Sequence, residues 1–476
     1  MSARRVVVVV LALSATLAAQ ERPDRSRPPA LGPAARLTLP DIQKRTLSNG
    51  LPVWVVESHE VPLVQVSLVV HAGSADDPAG EFGLASLTAA MLDEGAGTRS
   101  ALEVADAAEF LGANLSTTSS FDASAVRLNV PARQLEQALP IMADVALRPT
   151  FPEAELERLR QERLTALLQA RDDGAAVVGP AFARVVFGAT HRYGTGAMGT
   201  TATLKSFTPA QLRAFHAAMY RPGNATLIVA GDVTAAGAMP LLERAFGGWT
   251  AATPARKTPV PAAPQLTARH VSIVDIPGSE QSQIRIGWVG VPRSTPDYFA
   301  LQVLNTVLGG SFTSRLNQNL REEHGYSYGA SSRFDMRLSA GPFTAGAGVQ
   351  TDKTAESLQE FFKELAAIGT PIGDDELAKA KNYLALGFPG DFETIGDLAG
   401  RLEELAVYRL PDQYYAEYIA NIRAITAAAV QKAAATYIQP GKFAVVVVGD
   451  RQKIEPGIRA LNLGPVRVLS VDEVVP

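Results

Sequence analysis

Residues 220–232 read Tyr-Arg-Pro-Gly-Asn-Ala-Thr-Leu-Ile-Val-Ala-Gly-Asp, and residues 438–450 read Ile-Gln-Pro-Gly-Lys-Phe-Ala-Val-Val-Val-Val-Gly-Asp. Both stretches contain a Pro-Gly turn, an apolar run and a closing Gly-Asp, separated by 218 residues (440 minus 222). The same shift pairs Val66 with Ile284, near the start of each half. A nearly constant shift at both ends predicts an internal repeat, in which one fold occurs twice along the chain.

Each half is predicted to contain strands and helices in the same order. In the first half, residues 64–70 are mostly apolar and partly alternating, while 125–130 alternate apolar and polar side chains, as strands do. Helical periodicity covers 82–92, 134–146 and 153–169. This mixture predicts an α+β fold with two homologous domains, each with helices packed on a mixed, antiparallel-rich sheet.

The domain boundaries follow from the repeat and from proline content. We predict an N-terminal domain at 37–249 and a C-terminal domain at 269–476. Residues 250–268 contain four prolines and are predicted to form the linker between them. The chain of 476 residues is 47% hydrophobic, so it can bury cores of this size, and its net charge of −4 does not favour nucleic acid as a partner.

The N-terminus has the layout of a secretory signal peptide. Arg4 and Arg5 precede the apolar run 6–17 and a set of small residues, which predicts a signal peptide at 1–19 and a flexible leader at 20–36. The apolar run is short for a membrane-spanning helix, and no second long run follows. We therefore expect an exported protein, most simply periplasmic, with no membrane span after signal cleavage.

Residues 83–95 read Gly-Leu-Ala-Ser-Leu-Thr-Ala-Ala-Met-Leu-Asp-Glu-Gly and follow a predicted strand and loop. This arrangement resembles the start of the insulinase/pitrilysin family of zinc peptidases, which includes the mitochondrial processing peptidases, and the resemblance spans roughly 37–470. In that family the helix contains His-x-x-Glu-His, whose two His bind zinc and whose Glu activates a water molecule. The three positions here hold Ser86, Ala89 and Ala90.

The family takes its third zinc ligand from a Glu on the long helix predicted at 153–169. The family pattern places Ala166 at this position, and a slip of one residue would place Thr165 there. The resemblance therefore implies neither zinc nor a catalytic residue in this chain. None of the six His residues lies within four positions of another, so the sequence offers no local replacement for the metal ligands.

Residues 308–328 resemble the C-terminal signature of the same family, in which an Arg and a Tyr seven residues apart bind the substrate backbone. These residues are Arg321 and Tyr328 here. A guanidinium and a phenol can both donate to peptide carbonyls or to a developing oxyanion. The structural alternative is that Arg321 binds a nearby carboxylate and Tyr328 opens a strand.

A third substrate-binding candidate is Asn114, in residues 112–116. This segment resembles the edge segment on which the family binds an extended peptide by adding it to a sheet. The alternative is that Asn114 is a turn residue between a helix and a strand.

Some members of the family consist of two different subunits, of which one has the zinc motif and the other is a degenerate copy. The resemblance therefore implies a non-catalytic subunit that is inactive alone, pairs with a zinc-bearing homologue and contributes to binding a peptide substrate. Zinc is expected in the partner subunit. Two alternatives stay open: a peptidase active in its own right through unrecognised ligands, and a peptide-binding or scaffold protein with no catalytic partner.

Overall fold

The computed structural model describes residues 39–250, 255, 257 and 259–475. The predicted signal peptide (1–19) and leader (20–36) lie outside the described residues, and so does part of the predicted linker (251–254, 256 and 258). No helix in the described ranges is long and apolar enough to cross a membrane.

Strands and helices are interspersed along the chain. The strands are β1 (Gln43–Thr46), β2 (Pro52–Glu57), β3 (Leu63–Val70), β4 (Gly95–Ala96), β5 (Arg99–Ser100), β6 (Asn114–Ser119), β7 (Ser124–Pro131), β8 (Ala225–Gly231), β9 (His270–Asp275), β10 (Gln281–Val289), β11 (Ser327–Phe334), β12 (Pro342–Gln350), β13 (Ala444–Gly449) and β14 (Val466–Leu469). The helices are α1 (Leu84–Ala90), α2 (Ala101–Phe110), α3 (Leu135–Leu147), α4 (Glu153–Ala170), α5 (Gly174–Phe187), α6 (Thr201–Ser206), α7 (Pro209–Met219), α8 (Ala235–Phe246), α9 (Tyr298–Leu308), α10 (Arg315–Asn317), α11 (Thr354–Ala367), α12 (Asp374–Gly387), α13 (Ile395–Tyr408), α14 (Tyr414–Ala424), α15 (Ala427–Tyr437), α16 (Arg451–Ala460) and α17 (Val471–Val474).

The larger strands form two six-stranded sheets. The order in the first sheet is β1-β2-β8-β3-β7-β6, and the order in the second is β14-β9-β13-β10-β12-β11. Strand β3 is antiparallel to both neighbours, as is β10, whereas β2 runs parallel to β8 and β9 parallel to β13. Both sheets are therefore mixed and rich in antiparallel pairs, and the predicted α+β fold class is confirmed.

The burial of the strands explains their sequence patterns. All seven residues of β8 are buried, because this strand lies inside the sheet with both faces covered. In β7 the apolar Val126, Leu128 and Val130 point into the core, whereas Arg127 and Asn129 on the opposite face are half-buried. The alternation predicted for this strand is therefore confirmed.

Each half of the chain supplies a helix to the sheet of the other half. Helix α5 packs on β10 and β13 of the second sheet, and α13 packs on β3 and β8 of the first. Phe182 of α5 shares a core cluster with Val446 and Val448 of β13. The predicted limits 37–249 and 269–476 thus describe order along the chain and not two independent cores, and as domain boundaries they stay a prediction.

Candidate functional site

Helix α1 contains three of the positions at which the family has its metal motif. Gly83 precedes the helix with φ of 100°, and a Cβ at this position would lie 2.5 Å from the carbonyl oxygen of Met198. The carboxylate of Asp77 accepts hydrogen bonds from the backbone N–H groups of Gly83 and Ala85, each at 2.7 Å. The N-terminus of α1 is therefore fixed by a buried cap, independently of any metal.

The side chains of α1 serve packing. Leu84, Leu87 and Ala89 are buried, with Ala89 only 1% exposed, while Ser86 and Ala90 are half-buried. At the Glu position of the family motif the chain thus has a methyl group inside the core. A carboxylate there would have to be desolvated, so the helix is adapted to close packing.

Helix α4 supplies the position of the third ligand. Ala166 and Thr165 are both exposed, and the Thr165 hydroxyl donates to the carbonyl oxygen of Gln161 on its own helix at 2.8 Å. The two helices are joined instead by Arg163, whose Nη2 donates to the carbonyl oxygen of Ser86 at 3.1 Å. Arg163 of α4 therefore places a cation against the backbone of the first ligand position.

Zinc does not fit the residues at this site. The four metal-motif positions, Ser86, Ala89, Ala90 and Ala166, provide one hydroxyl group and three methyl groups, whereas zinc in proteins takes thiolate, imidazole or carboxylate ligands. Across the described ranges no group of three or more His, Asp or Glu side chains could hold a metal ion.

Three histidines that could have formed a distant site have other partners. His71 Nε2 lies 3.0 Å from Thr226 Oγ1, and burial lowers the pKa of His71 to about 4. His216 donates to the carbonyl oxygen of Ala146 at 2.9 Å, and His191 Nε2 lies 2.8 Å from the carbonyl oxygen of Pro261. These imidazoles stabilise local structure.

Arg321 lies in a short π-helix, Gln318–Glu323, which leads towards β11. Its guanidinium stacks 4.6 Å above the ring centroid of Phe312, and its Nε lies 3.2 Å from Glu322 Oε1. The arginine side chain is 39% exposed, so the ion pair with its neighbour is weak and leaves donors free for another group. The carboxylate contact of the structural alternative exists, but it does not bury the guanidinium.

Tyr328 is 91% exposed and is the second residue of β11, the edge strand of the second sheet. The pairing of β11 with β12 shifts register between Ser327 and Ala330, which is a β-bulge. Ser327 Oγ accepts from the N–H of Gly329 at 3.0 Å and lies 2.8 Å from the carbonyl oxygen of Gly348. The bulge is therefore pinned by a serine and presents the phenol to solvent.

Backbone hydrogen bonds hold the segment of Arg321 and Tyr328 together. The N–H of Tyr326 donates to the carbonyl oxygen of Leu320 at 2.9 Å, and the N–H of Gly325 donates to that of Arg321 at 3.1 Å. Arg321 thus lies on a closed turn that leads directly into β11, the strand of Tyr328. π-helices and β-bulges are irregularities that occur frequently at functional sites.

Asn114 is the exposed first residue of β6, the edge strand of the first sheet, where it pairs with Asn129 of β7. The structure therefore places it in a strand and not in the turn of the alternative interpretation. It lines a cavity of about 600 Å³ beside α2 and a second of about 330 Å³ beside α13. At the second cavity Arg127 Nε donates to Glu403 Oε1 at 2.8 Å, joining the two halves of the chain.

Several contributors to these sites have no role in the sequence analysis. Arg163 contacts Ser86 from another helix and Phe312 stacks on Arg321, whereas Asp77 and Ser327 fix the backbone beside candidate positions. Of these features, only the β-bulge has a signal in the sequence, because a glycine inside a predicted strand, such as Gly329, often indicates a bulge.

Comparison with family models covers both halves. The model described as Insulinase (Peptidase family M16) matches residues 53–178, and the model described as Peptidase M16 inactive domain matches residues 206–384. Among curated proteins, an uncharacterized zinc protease of Mycobacterium leprae is 28% identical over 351 residues, which cover 72% of this chain and 77% of the relative. One from Bacillus subtilis is 26% identical over 348 residues, covering 72% and 82%.

Solved structures have the same fold over most of the chain. A peptidase M16 inactive domain from Pseudomonas fluorescens has a TM-score of 0.80 at 26% identity and covers 86% of this chain and 98% of its own. The first half of the periplasmic protease PqqL from Escherichia coli has a TM-score of 0.70 at 18% identity, with coverage of 90% and 97%. At 18% identity the second comparison supports the fold alone.

Proposed function

Because the chain belongs to the insulinase family of peptidases (M16), we propose that it is a non-catalytic subunit of a metallopeptidase. In this proposal it pairs with a zinc-bearing homologue and contributes substrate binding to peptide hydrolysis. Zinc and the residues that activate water belong to the partner. The proposal also includes export from the cytoplasm, for which the signal-peptide pattern is the main support.

The observation that carries the proposal is the contrast between two parts of the chain. The metal-motif positions on α1 and α4 offer methyl groups and a serine, next to the cation of Arg163. The segment from Arg321 to Tyr328 nevertheless presents two hydrogen-bond donors to solvent, one on an ordered turn and one at the start of β11. Tyr328, at 91% exposed, contributes little to packing and is available for contact with another molecule.

The chemistry assigned to this segment is hydrogen-bond donation. The planar guanidinium of Arg321 can donate to two carbonyl oxygens of an extended peptide, and the phenol of Tyr328 can donate to the oxygen on which negative charge develops. Strand β6 offers a free sheet edge at Asn114 for main-chain pairing with a peptide. The substrate proposed is therefore a peptide in extended conformation.

Two other functions compete with this one. A metal-dependent peptidase active in its own right would need metal ligands. Within the described ranges, no group of three or more His, Asp or Glu side chains could hold a metal ion. The other alternative is a peptide-binding or scaffold protein with no catalytic partner, and only its peptide-binding form would use Arg321 and Tyr328. The exposed donors therefore favour the subunit proposal over a pure scaffold, and association with a zinc-bearing homologue distinguishes it from a peptide-binding protein.

The test is reconstitution with a zinc-bearing homologue from the same genome, chosen because it contains His-x-x-Glu-His. We expect the two chains to copurify, with one zinc per heterodimer, and to cleave a quenched peptide that neither chain cleaves efficiently alone. A stoichiometric zinc in the isolated chain, with chelator-sensitive proteolysis, would contradict the proposal. Failure to associate with any such homologue would favour the scaffold.

A further inference from the structure

Arg163 on α4 has a largely buried guanidinium with one nitrogen that lacks a hydrogen-bond partner in the described ranges. It lies one helical turn before Ala166, so the two residues share a face of the helix. Its Nη2 donates to the carbonyl oxygen of Ser86 at 3.1 Å, whereas its Nη1 is buried and has no hydrogen-bond partner in the described ranges. Burial lowers the pKa of Arg163, and among the described residues the charge that opposes this shift is that of Glu162, the preceding residue.

The neighbouring arginines of α4 are differently placed. Arg158 binds Glu155 with Nε at 2.7 Å and also pairs with Glu94 at the exposed side of the helix. Arg160 Nη2 donates to the carbonyl oxygen of Phe207 at 2.8 Å. In the part of the chain that the structure describes, Arg163 is thus the arginine of α4 that reaches α1, and it does so without an acidic partner across the contact.

We propose that Arg163 excludes divalent metal from the space between α1 and α4, so that restoring the metal ligands alone does not restore zinc binding. A guanidinium has only donors and no lone pair to offer a metal. Its positive charge also opposes a second cation in a partly desolvated site. The inference concerns this chain alone and does not depend on pairing with a zinc-bearing subunit.

The contact made by Arg163 takes the place of the link that zinc makes between these two helices in the family. In the family, zinc joins the helix of the His-x-x-Glu-His motif to the helix of the third ligand. In this chain the contact from Arg163 to Ser86 joins the same two helices. In this proposal Arg163 therefore links α1 to α4, while its positive charge disfavours the binding of a metal ion there.

The test restores three ligands in the full chain, as Ser86→His, Ala90→His and Ala166→Glu. Ala89 is left unchanged, because it is buried and the family has its catalytic Glu, not a ligand, at this position. Zinc affinity is measured by competition with a chromophoric chelator, and the cobalt absorption spectrum reports tetrahedral coordination. We expect Arg163→Leu to tighten zinc binding of this variant at least about tenfold.

The matched control is Arg158→Leu in the same three-ligand variant, which removes an arginine from the same helix without opening the site and should leave zinc affinity unchanged. Thermal melts establish that each variant is folded. Should the three-ligand variant unfold, the two-histidine variant, Ser86→His with Ala90→His, is compared with and without Arg163→Leu in the same assay. Equal zinc affinity with and without Arg163, including an equal lack of binding in folded protein, would overturn the inference.

Discussion

The region between α1 and α4 in the first half differs sharply from the segment leading into β11 in the second. Each adjoins the edge strand of its own sheet, since α1 packs against β6 and the π-helix Gln318–Glu323 contacts β11. The first region has small or apolar side chains at the motif positions, one of them in the core. The second has exposed donors on an irregular backbone.

This difference separates residues that contribute to stability through packing from residues that contribute little to it. Leu84 and Leu87 hold α1 in place through burial, and such contacts persist whether or not the helix binds metal. The exposed Tyr328 gains little from burial, so in this proposal its contribution comes from a contact with another molecule. We therefore expect changes in the first region to alter stability, and changes in the second to alter activity of the assembled peptidase.

The largest effect should come from Arg321→Ala and Tyr328→Phe in the heterodimer. Each removes a donor directed at the transition state, which typically lowers turnover by about 10²- to 10³-fold. Turnover of a quenched peptide is measured alongside sizing of the complex. Tyr383→Phe, another exposed tyrosine of the second half, is the matched control. Full activity of both variants in an intact heterodimer would reduce the two residues to structural roles.

The next effect concerns the cap of α1. Asp77→Ala removes the carboxylate that accepts from the N–H groups of Gly83 and Ala85, and the loss of such a buried cap should cost about 2 kcal/mol of unfolding free energy. Chemical denaturation measures this difference. Asp173→Ala, which removes an exposed cap from α5, should cost less. Unchanged stability of Asp77→Ala together with loss of turnover in the complex would contradict the expectation that the α1–α4 region affects stability and not activity.

A smaller effect is expected from the serine that pins the bulge. Ser327→Ala removes the hydrogen bond to Gly329, so the phenol of Tyr328 should be less well oriented, with a loss of about tenfold in turnover. Ser331→Ala, an exposed change on the same strand, should have no such effect. Identical kinetics for the two serine variants would show that the bulge does not position the tyrosine.

The last prediction concerns pH. Burial raises the pKa of Asp77 to about 7, from a usual value of 3.8, although two backbone amides oppose the shift. The stability due to the protonated carboxyl is therefore present below pH 3.8 and lost as pH rises towards 7. Asn cannot ionise, so the stability advantage of wild type over Asp77→Asn should shrink across this interval, by at most about 1.4 kcal/mol per pH unit. Urea denaturation at pH 4.5, 5.5 and 6.5 measures it, and a constant difference would contradict the assignment.

Much of the fold could be predicted because its signals are local. The alternation in β7 and the apolar run of β8 identify a half-covered and a fully covered strand, and the structure has both. The predicted helix at 82–92 is shorter in the structure, at Leu84–Ala90, because the Asp77 cap fixes its first turn and the chain bends after Ala90. Neither boundary could be predicted from periodicity alone.

The candidate sites were only partly predictable. The resemblance to the family's C-terminal signature implied Arg321 and Tyr328, but it did not predict the stacking of Arg321 on Phe312 or the bulge at Ser327, because both depend on contacts between segments. Arg163 is an ordinary polar residue of a long helix when seen in sequence. Its position against Ser86 follows only from the packing of α4 beside α1.

The sequence by itself determined the fold class, and its resemblance to the insulinase family implied the metal-motif positions and the two candidate donors, since periodicity and motif matches are local properties of the chain. Only the tertiary structure decided that α5 and α13 each pack on the sheet of the opposite half. An apolar helix face can pack on either of two apolar sheets, and which one it covers depends on the path of the whole chain. The tertiary structure also decided that Arg163 meets Ser86, a hydrogen bond between residues 77 positions apart (163 minus 86) that no local pattern encodes.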